Sequence, residues 1–298
     1  MDHKIKKLIT DAKIKMMRYL YKGRSKAKYS SIMEKDWDNL ILLDGCRYDA
    51  FEEINDINGR LDHIYSKGSD TEEFLFRNFK DKKYQDAVYV TANPLVNRDV
   101  KDSFYKVIPV WLDDWCEEYG TVLPDKMTER VIETDKRYPH KRLIAHYVQP
   151  HYPFIGEIGQ KEIGPHEGML ARRNYLSDDR VEHTNQLIWN LLREGEVERS
   201  TIWRAYLENL ELVLEHVKKL VEVLKGKTII SSDHGNLFGE RLSPLPFKEY
   251  GHPSGIYHEK LIKVPWFIIQ GDKRKKIKKD EVKQEREMIK DAISFADI

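Results

Sequence analysis

The hydrophobic positions of this chain fall into short continuous runs, separated by segments with helical periodicity. Seven runs have the apolar character of buried strands; they span residues 37–43, 63–65, 87–90, 104–111, 143–148, 228–230 and 264–269. Pro109 lies in the fourth run and indicates an edge strand, because proline cannot donate a hydrogen bond to a sheet ladder. Continuous apolar runs, rather than alternating ones, are typical of parallel strands covered on both faces.

The segments between these runs carry the signals of helices. The longest predicted helix has apolar residues at steps of three and four and is stopped by Gly226 in the C′ position; these residues are Trp203, Leu207, Leu210, Leu214, Val217, Val221 and Leu224. Shorter helices are predicted from about Ala50, from Thr71 to about Phe79, and from Pro124 to just before Tyr138. This alternation predicts an α/β fold with a mostly parallel central sheet and helices on both faces.

No internal repeat or low-complexity linker divides the chain, so we expect residues 37–298 to form a single α/β domain. Residues 1–36 are rich in Lys and Arg with apolar residues interleaved, which predicts a basic amphipathic helix and a loop. A helix lying on the domain is favoured, and a helix that contacts a membrane surface or a partner is the alternative. Residues 157–178 are irregular and predict a lid or insertion loop. The charged segment from Lys273 predicts a surface helix or a frayed tail.

Charge balance and cysteine content indicate which partners and which cellular compartment this protein could have. The 51 Lys and Arg residues are balanced by 50 Asp and Glu residues, which argues against nucleic acid as a partner. Neither Cys46 nor Cys116 belongs to a Cys-x-x-Cys motif, and two cysteines fit a reducing compartment. The sequence has no apolar run long enough to span a membrane and no signal-peptide pattern. We therefore predict a cytoplasmic protein, with peripheral membrane contact through the N-terminal segment left open.

The candidate chemistry lies where the predicted strands end. The run that begins at Thr228 stops in Ser-Ser-Asp-His-Gly, and the first run stops at Asp44. Asp44, Asp233 and His234 are therefore expected at the same edge of the sheet, where carboxylate and imidazole groups could bind one divalent cation. A hydroxyl at such a cation loses its proton more easily and becomes a nucleophile. Ser69 and Thr71 are candidates, because they precede a helix whose N-terminus favours an anionic group.

Five segments, in this order, resemble the alkaline phosphatase/sulfatase superfamily, and most closely its sulfatase-like and phosphoglycerol-transferase branch. They are Leu-Leu-Asp-Gly-Cys-Arg-Tyr-Asp at 42–49, Gly-Ser-Asp-Thr-Glu-Glu-Phe-Leu at 68–75, Gln-Pro-His-Tyr-Pro-Phe at 149–154, Ser-Asp-His-Gly at 232–235, and Tyr-Gly-His at 250–252 followed by Leu-Ile-Lys-Val-Pro at 261–265. The resemblance implies an alkaline phosphatase-like fold. It also implies one divalent metal ion, whether Mn, Zn, Mg or Ca.

The resemblance implies a role for each matching residue. The metal ligands would be Asp44, Thr71, Asp233 and His234, with Thr71 also the nucleophile. His151 and His252 would contact the transferred group or assist the leaving group. Arg47 and Ser69 would contact the substrate. Asn93 lies outside the matching segments, but it follows the third predicted strand at the same edge of the sheet and is a further candidate contact to the substrate. For Arg47 a salt bridge to Asp49 is the alternative interpretation.

The chain also departs from the superfamily patterns. The Cys or Ser followed by x-Pro-x-Arg that formylglycine sulfatases carry has no counterpart, and Cys46 is expected to be a small buried residue. The Asp-x-x-x-His ligand set for a second metal is not evident, so one metal is expected. The nucleophile stays open between Thr71 and Ser69; Thr71 is preferred, and Ser69 would then serve as a helix N-cap or a contact.

The resemblance implies a metal-dependent hydrolase or transferase of phosphate or sulfate esters, acting through a covalent threonine intermediate. A phosphoglycerol- or phosphoethanolamine-type transferase acting on a glycan or lipid is one alternative. A catalytically silent protein that binds a metal or an anion is another. In each case the expected partner is a small anionic ester, a glycan or a lipid headgroup.

Overall fold

In the computed structural model of the chain, a seven-stranded sheet forms the centre of the molecule. The structure describes residues 12, 15–21, 29–164, 172, 176, 187–242 and 247–279. In chain order the strands are Asn39–Leu43 (β1), Arg60–Tyr65 (β2), Tyr84–Thr91 (β3), Phe104–Pro109 (β4), Trp115–Cys116 (β5), Thr121–Val122 (β6), Arg142–Tyr147 (β7), Thr228–Ser231 (β8), Leu237–Arg241 (β9), Lys248–Gly251 (β10) and Lys263–Ile269 (β11).

The order of strands in the central sheet is β2-β11-β8-β1-β7-β3-β4. β1 pairs in parallel with both β7 and β8, and β3 pairs in parallel with β7 and β4. β11 runs antiparallel to its two neighbours, β8 and β2. The predicted mostly parallel α/β fold is therefore confirmed. Pro109 ends β4, which lies at one edge of the sheet, as its sequence indicated.

The helices cover both faces of this sheet. They are Tyr48–Ile54 (α1), Thr71–Phe79 (α2), Pro94–Val100 (α3), Val110–Asp113 (α4), Pro124–Arg137 (α5), Leu187–Glu194 (α6), Arg199–Val223 (α7) and Glu259–Ile262 (α8). Ile41 and Leu43 of β1 pack in the core that includes residues of α1, α5 and α7. Leu40 and Leu42 pack on the opposite face, in the core that includes residues of α2 and α3. Successive residues of a strand point to opposite faces, so β1 contributes to both cores.

The long helix α7 matches the predicted apolar stripe, but it ends earlier than Gly226. Its C-cap is Leu224, and Gly226 follows two residues later with φ of +96°. A Cβ atom at Gly226 would lie 2.4 Å from Asp38 Oδ2. Glycine is required here for both reasons, because the turn returns the chain directly beside the start of β1.

The predicted flanking segments are described in part. Residues 15–21 are helical, and Met17 and Tyr21 are buried against Leu237, Ile256 and Leu261. Within the predicted lid, Gly159–Ile163 forms a π-helical turn, whereas most of residues 165–178 lie outside the described part of the chain. Residues 273–279 are not helical, and residues 280–298 are not described. Among the helices that the structure describes, none has the length and apolar character of a membrane span.

Candidate active site

The sheet brings the predicted chemistry to one edge. β1 lies between β7 and β8, so the residues at the carboxyl ends of these three strands are neighbours. Asp44 directly follows β1, and Asp233 and His234 follow β8. Thr71 is the first residue of α2 and therefore sits at its N-terminus. Thr71 is 6% exposed, and the other three side chains are buried more deeply.

These four side chains form a cluster of polar atoms. His234 Nε2 lies 3.5 Å from Asp44 Oδ1 and 3.4 Å from Asp233 Oδ2. The Thr71 hydroxyl donates a hydrogen bond of 2.8 Å to Asp233 Oδ2. Thr71 Oγ1 also lies 3.2 Å from His234 Nε2. The structure therefore brings together all four residues that the sequence proposed as metal ligands.

Neighbouring groups orient the ligand atoms of this cluster. His234 Nδ1 lies 2.8 Å from the carbonyl oxygen of Gly235, so Nδ1 carries the ring proton and donates it. The lone pair of Nε2 then faces the carboxylates. Asp233 Oδ1 accepts hydrogen bonds from the backbone N–H groups of Gly45, at 3.0 Å, and His234, at 2.9 Å. Oδ2 is the oxygen of Asp233 that faces Thr71.

One unpartnered atom supports a cation at the cluster. Among the described residues, Asp44 Oδ1 is buried without a hydrogen-bond partner. Ligand atoms from Asp44, His146 and Asp233 all lie within 4.8 Å of one another. A buried carboxylate oxygen without a partner is costly, and a divalent cation beside it would offset that cost. Carboxylate oxygen and imidazole nitrogen are suitable donors for Zn²⁺ and for Mn²⁺.

The pKa shifts of Asp44 and Asp233 also support a cation at the cluster. Burial and the nearby Asp233 raise the pKa of Asp44 well above its ordinary value. Burial also raises the pKa of Asp233, but the nearby histidines and the hydrogen bonds from the Gly45 N–H and the Thr71 hydroxyl together outweigh burial, and the net direction is downward. In the protein alone, Asp44 therefore resists ionisation beside an ionised Asp233. A cation between them would stabilise both carboxylates in the charged form.

A pair of histidines lies beside the cluster. The rings of His252 and His234 are 4.5 Å apart between centroids, and His252 Nε2 is 3.0 Å from His151 Nε2. His151 Nδ1 is 2.6 Å from the carbonyl oxygen of Tyr152 and therefore donates to it. His151 Nε2 must then accept a hydrogen bond from His252 Nε2. Burial lowers the pKa of His151 to about 4 and that of His252 well below its ordinary value, so both rings are neutral at pH 7.

The three predicted substrate contacts occupy different places. Asn93 joins the cluster, because its Nδ2 donates to Asp44 Oδ2 at 2.9 Å. The Ser69 hydroxyl faces away from it, towards the carbonyl oxygen of Pro253 at 3.2 Å, and accepts from the N–H of Gly255 at 2.8 Å. Ser69 is not the N-cap of α2. That position belongs to Asp70, whose carboxylate accepts from the N–H of Glu73 at 2.7 Å.

Arg47 is engaged in ion pairs rather than directed at the cluster. Its Nη2 is 2.6 Å from Asp49 Oδ2, and its Nη1 is 2.7 Å from Glu240 Oε1. The guanidinium also lies over the Trp203 ring, 5.0 Å from its centroid. These contacts leave the guanidinium committed within the fold, as the alternative interpretation predicted. Cys46 is fully buried, as expected.

His146 belongs to the cluster but was missed as a site residue. It is the penultimate residue of β7 and pairs in register with Leu42 of β1. The available signal was an imidazole inside an otherwise apolar run between residues 143 and 148. A polar ring in the middle of a parallel sheet needs a partner, and here that partner is the cluster at the strand ends.

The chain is similar to several solved structures, whereas comparisons with protein families and with curated proteins give no match. One is the C-terminal periplasmic domain of phosphoethanolamine transferase EptC from Campylobacter jejuni, with 13% identity over 84% of this chain and 82% of that chain and a TM-score of 0.49. Another is the C-terminal periplasmic domain of EcEptC from Escherichia coli in complex with Zn, with 10% identity over 82% and 75% of the two chains and a TM-score of 0.47. A third is a protein of the alkaline phosphatase superfamily from Vibrio parahaemolyticus, with 12% identity over 86% and 65% and a TM-score of 0.45.

One of these similar structures is described as a protein of the alkaline phosphatase superfamily, the group that the five sequence segments resemble. Since the three TM-scores are below 0.5, the roles of individual residues are inferred from the geometry of this chain alone.

The predicted cytoplasmic location is contradicted by the same comparison, because two of these similar structures are described as periplasmic domains. The prediction rested on cysteine usage and on the lack of a signal-peptide pattern or a long apolar run. Cys46 and Cys116 are both free thiols, and a protein without a disulfide can be stable in either compartment.

Proposed function

We propose that this protein hydrolyses or transfers phosphate esters through a covalent intermediate on Thr71, with one divalent metal ion held by Asp44, Thr71, Asp233 and His234. The observation that carries the proposal is the position of the Thr71 hydroxyl. It lies 2.8 Å from Asp233 Oδ2 and 3.2 Å from His234 Nε2, at the start of a helix. The contact with Asp233 addresses the first requirement of a threonine nucleophile, and the position at the start of a helix addresses the second.

The first requirement is removal of the hydroxyl proton, because threonine is a weak nucleophile at neutral pH. Thr71 Oγ1–H already donates to Asp233 Oδ2, so the carboxylate lies on the path by which this proton leaves. When bound, a divalent cation would act as a Lewis acid, stabilising negative charge on the Thr71 oxygen and on the oxygens of the ester. The unpartnered Asp44 Oδ1 supports a cation at this place.

The second requirement is a place for an anionic group. The first N–H groups of a helix have no partner within the helix, and the helix dipole favours negative charge at that end. Thr71 opens α2, so a phosphoryl group bonded to its hydroxyl would lie at this N-terminus.

The reaction then has two displacements. Thr71 Oγ forms a bond to phosphorus while the bond from phosphorus to the ester oxygen breaks, and the alcohol leaves. Water or an acceptor alcohol next attacks phosphorus, gives up its proton to a base, and releases Thr71. We assign the base of the second step to the pair of His252 and His151. Among the described residues His252 Nδ1 has no hydrogen-bond partner, so its lone pair is available to accept a proton. His151 Nε2 accepts from His252 Nε2 and orients that ring.

Phosphate rather than sulfate is favoured by the nucleophile. A threonine cannot be oxidised to the formylglycine on which the sulfatases with that motif depend, and Cys46 is fully buried. The donor set of carboxylates and imidazole favours Zn²⁺ or Mn²⁺ over Mg²⁺ or Ca²⁺. Phosphoethanolamine transfer, the activity named for the similar structure from Campylobacter jejuni, is one reaction of this class. We extend the proposal to an anionic ester substrate from a glycan or a lipid headgroup.

We also retain the proposed organisation of the chain, with residues 37–298 as one domain and residues 1–36 as a basic helix and loop. Its support is that Met17 and Tyr21 pack against Ile256 and Leu261, close to the loop that carries His252. Arg18 Nε donates to the carbonyl oxygen of Ser254 at 2.7 Å in the same loop.

The test is the metal dependence of ester cleavage. Protein stripped with EDTA is assayed on p-nitrophenyl phosphate, bis-p-nitrophenyl phosphate and p-nitrophenyl sulfate after addition of Zn²⁺, Mn²⁺, Mg²⁺ or Ca²⁺. We expect cleavage of a phosphate ester with Zn²⁺ or Mn²⁺, and its loss in Thr71→Ala with metal affinity largely retained. Metal binding without turnover of any ester would instead support a silent binding protein. Full activity in Thr71→Ala would rule out the covalent mechanism.

A further inference from the structure

His146 is a buried histidine whose two ring nitrogens have different surroundings. Its side chain is fully buried, and its Nδ1 lies 2.9 Å from the hydroxyl oxygen of Tyr89. Its Nε2 lies 3.9 Å from Asp233 Oδ2 and has no hydrogen-bond partner among the residues that the structure describes. The role of His146 therefore depends on which nitrogen carries the proton.

Tyr89 decides the tautomer. The Tyr89 side chain is fully buried, so its hydroxyl proton needs an acceptor inside the protein. Within the part of the chain that the structure describes, the hydrogen-bond partner of this hydroxyl is His146 Nδ1. If Nδ1 carried the proton, the Tyr89 hydroxyl hydrogen would be left without an acceptor. Tyr89 therefore donates to Nδ1, and the ring proton of His146 is on Nε2.

The proton on Nε2 points into the cluster. Nε2 lies 3.9 Å from Asp233 Oδ2, and one ligand atom from each of His146, Asp44 and Asp233 lies within 4.8 Å of the other two. A nitrogen that carries a proton has no lone pair for a metal ion, so this arrangement excludes His146 as a ligand in the tautomer that Tyr89 imposes. It makes His146 a hydrogen-bond donor toward the carboxylates.

Asp233 loses a hydrogen-bond donor when Thr71 acts as the nucleophile, and His146 can replace that donor. In this structure Asp233 Oδ2 accepts the Thr71 hydroxyl proton, at 2.8 Å. A nucleophilic Thr71 has lost that proton and no longer donates to Asp233. His146 Nε2–H, at 3.9 Å, is then a neighbouring donor without a partner of its own. Closing this distance to a hydrogen bond of about 3 Å needs only a small movement of either side chain.

We propose that His146, held in its Nε2–H tautomer by Tyr89, is a positioning residue that fixes the carboxylate of Asp233 for metal binding. This inference rests on the proposed function, since it assumes a cation at the cluster. It differs from the simpler idea that His146 is itself a ligand. The two roles predict different results for substitutions that keep or remove an N–H donor.

The experiment measures Zn²⁺ affinity in the full chain by competition with a chelating dye. His146→Leu removes the donor, and we expect its affinity to fall about 10- to 100-fold, the usual effect of losing a hydrogen bond to a metal ligand. His146→Gln keeps an N–H group near the position of Nε2, and we expect it to restore most of that loss. Tyr89→Phe frees the tautomer, and we expect a loss smaller than that of His146→Leu.

The Co²⁺-substituted protein separates a positioning role from a ligand role. Its visible absorption reports the number of nitrogen ligands, and we expect the spectrum of His146→Gln to match that of the wild type. A changed spectrum in His146→Gln, or wild-type affinity in His146→Leu, overturns the proposal. Thermal melting of the EDTA-treated proteins identifies a variant that has failed to fold. If His146→Leu fails in this way, His146→Gln and Tyr89→Phe carry the test, and wild-type affinity in Tyr89→Phe then overturns it.

A wild-type protein that binds none of the tested metals overturns the proposed metal site and this inference together. If His146→Leu binds Zn²⁺ as tightly as the wild type does, this inference alone is overturned and the proposed metal site stands.

Discussion

Asn93 uses both ends of its amide. Its Nδ2 donates to Asp44 Oδ2 at 2.9 Å, and its Oδ1 accepts from the N–H of Leu95 at 3.0 Å as the N-cap of α3. The sequence placed Asn93 at the end of a strand and proposed that it contacts the substrate. The geometry supports a different role, in which Asn93 orients Asp44 and holds the start of α3 next to it.

Two substitutions separate these functions of Asn93. Asn93→Ser keeps a side-chain acceptor for the helix cap but loses the donor to Asp44, whereas Asn93→Ala loses both. We expect metal affinity to fall about 10-fold in both variants. We expect the free energy of unfolding of the metal-free protein to be about 1 kcal/mol lower in Asn93→Ala than in Asn93→Ser. Calorimetric titration and denaturant unfolding measure the two quantities, and unchanged metal affinity in both variants would contradict this role.

Arg47 illustrates what a sequence cannot decide for a single residue. Asp49 was visible as a partner two residues away, but Glu240 comes from β9, far along the chain. The aromatic surface under the guanidinium comes from Phe238, also on β9, and from Trp203 on α7. Sequence could therefore offer an ion pair and a substrate contact as equal alternatives, and only the tertiary arrangement distinguished them.

α2 is the element that connects the nucleophile with the histidine pair. Besides Thr71, it carries Glu73, whose Oε1 is 2.6 Å from Arg77 Nη2, and Glu73 also contacts the hydroxyl of Tyr257. Ser69, just before the helix, bonds to Pro253 and Gly255. The loop after His252 is thus attached to the start of α2, so the position of His252 depends on these contacts.

We expect Ser69→Ala to affect mainly the rate of turnover and Asp70→Ala to affect mainly the stability of the protein. Ser69→Ala loosens the loop beside His252, so kcat should fall several-fold while metal affinity is unchanged. Asp70→Ala removes the cap of α2 and should lower the free energy of unfolding by about 1 kcal/mol. Steady-state kinetics and denaturant unfolding of both variants test this difference. If Ser69→Ala loses all turnover while Thr71→Ala keeps full turnover, Ser69 is the nucleophile.

At the scale of elements, most strands of the central sheet were predictable because their apolar runs are continuous, whereas only the last three residues of the polar edge strand β2 were predicted. The hairpin of β9 and β10 was not predicted. Its strands are short and contain Glu240, Arg241, Lys248 and Glu249, so no apolar run marks them. This hairpin leads directly to His252, and hence the proximity of His252 to His151 could be expected from the resemblance but not from the residue pattern.

For the molecule as a whole, buried neutral histidines make stability depend on pH. Burial lowers the pKa of His151 from 6.5 to about 4. Between these values the unfolded chain binds the proton more readily than the folded protein, so this contribution to stability is lost as pH falls from about 6.5 to about 4. The raised pKa of Asp44 acts in the opposite direction, because the folded protein holds that proton more tightly.

The contribution of His151 is isolated by comparing the metal-free wild type with His151→Gln. The difference between their free energies of unfolding should shift on the order of 3 kcal/mol between pH 7.5 and pH 4, with the wild type losing more. Denaturant unfolding at each pH measures it. Parallel pH profiles for the two proteins would show that the pKa of His151 is not lowered by burial.

The fold could be predicted from the hydrophobic pattern of the sequence, but the cellular compartment could not. Alternating strands and helices determined an α/β sheet, and strands ending in Asp44 and Asp233 placed their carboxylates together because β1 and β8 pair in parallel. His146 was missed because its tautomer and its distance from Asp233 are properties of the folded sheet. The cytoplasmic prediction failed because neither the cysteine content nor the lack of a signal-peptide pattern identifies the compartment of a protein.

The central claim is that Thr71 carries the transferred group, and acid quenching followed by peptide mass mapping tests it most directly. The Zn²⁺- or Mn²⁺-loaded protein is mixed with p-nitrophenyl phosphate and quenched, with His252→Ala included to slow the second step. We predict a phosphorylated peptide with the modification on Thr71, more abundant in His252→Ala and absent from Thr71→Ala and from EDTA-treated protein. Ester cleavage without any phosphorylated peptide in His252→Ala, or phosphorylation at Ser69 instead, would contradict the account.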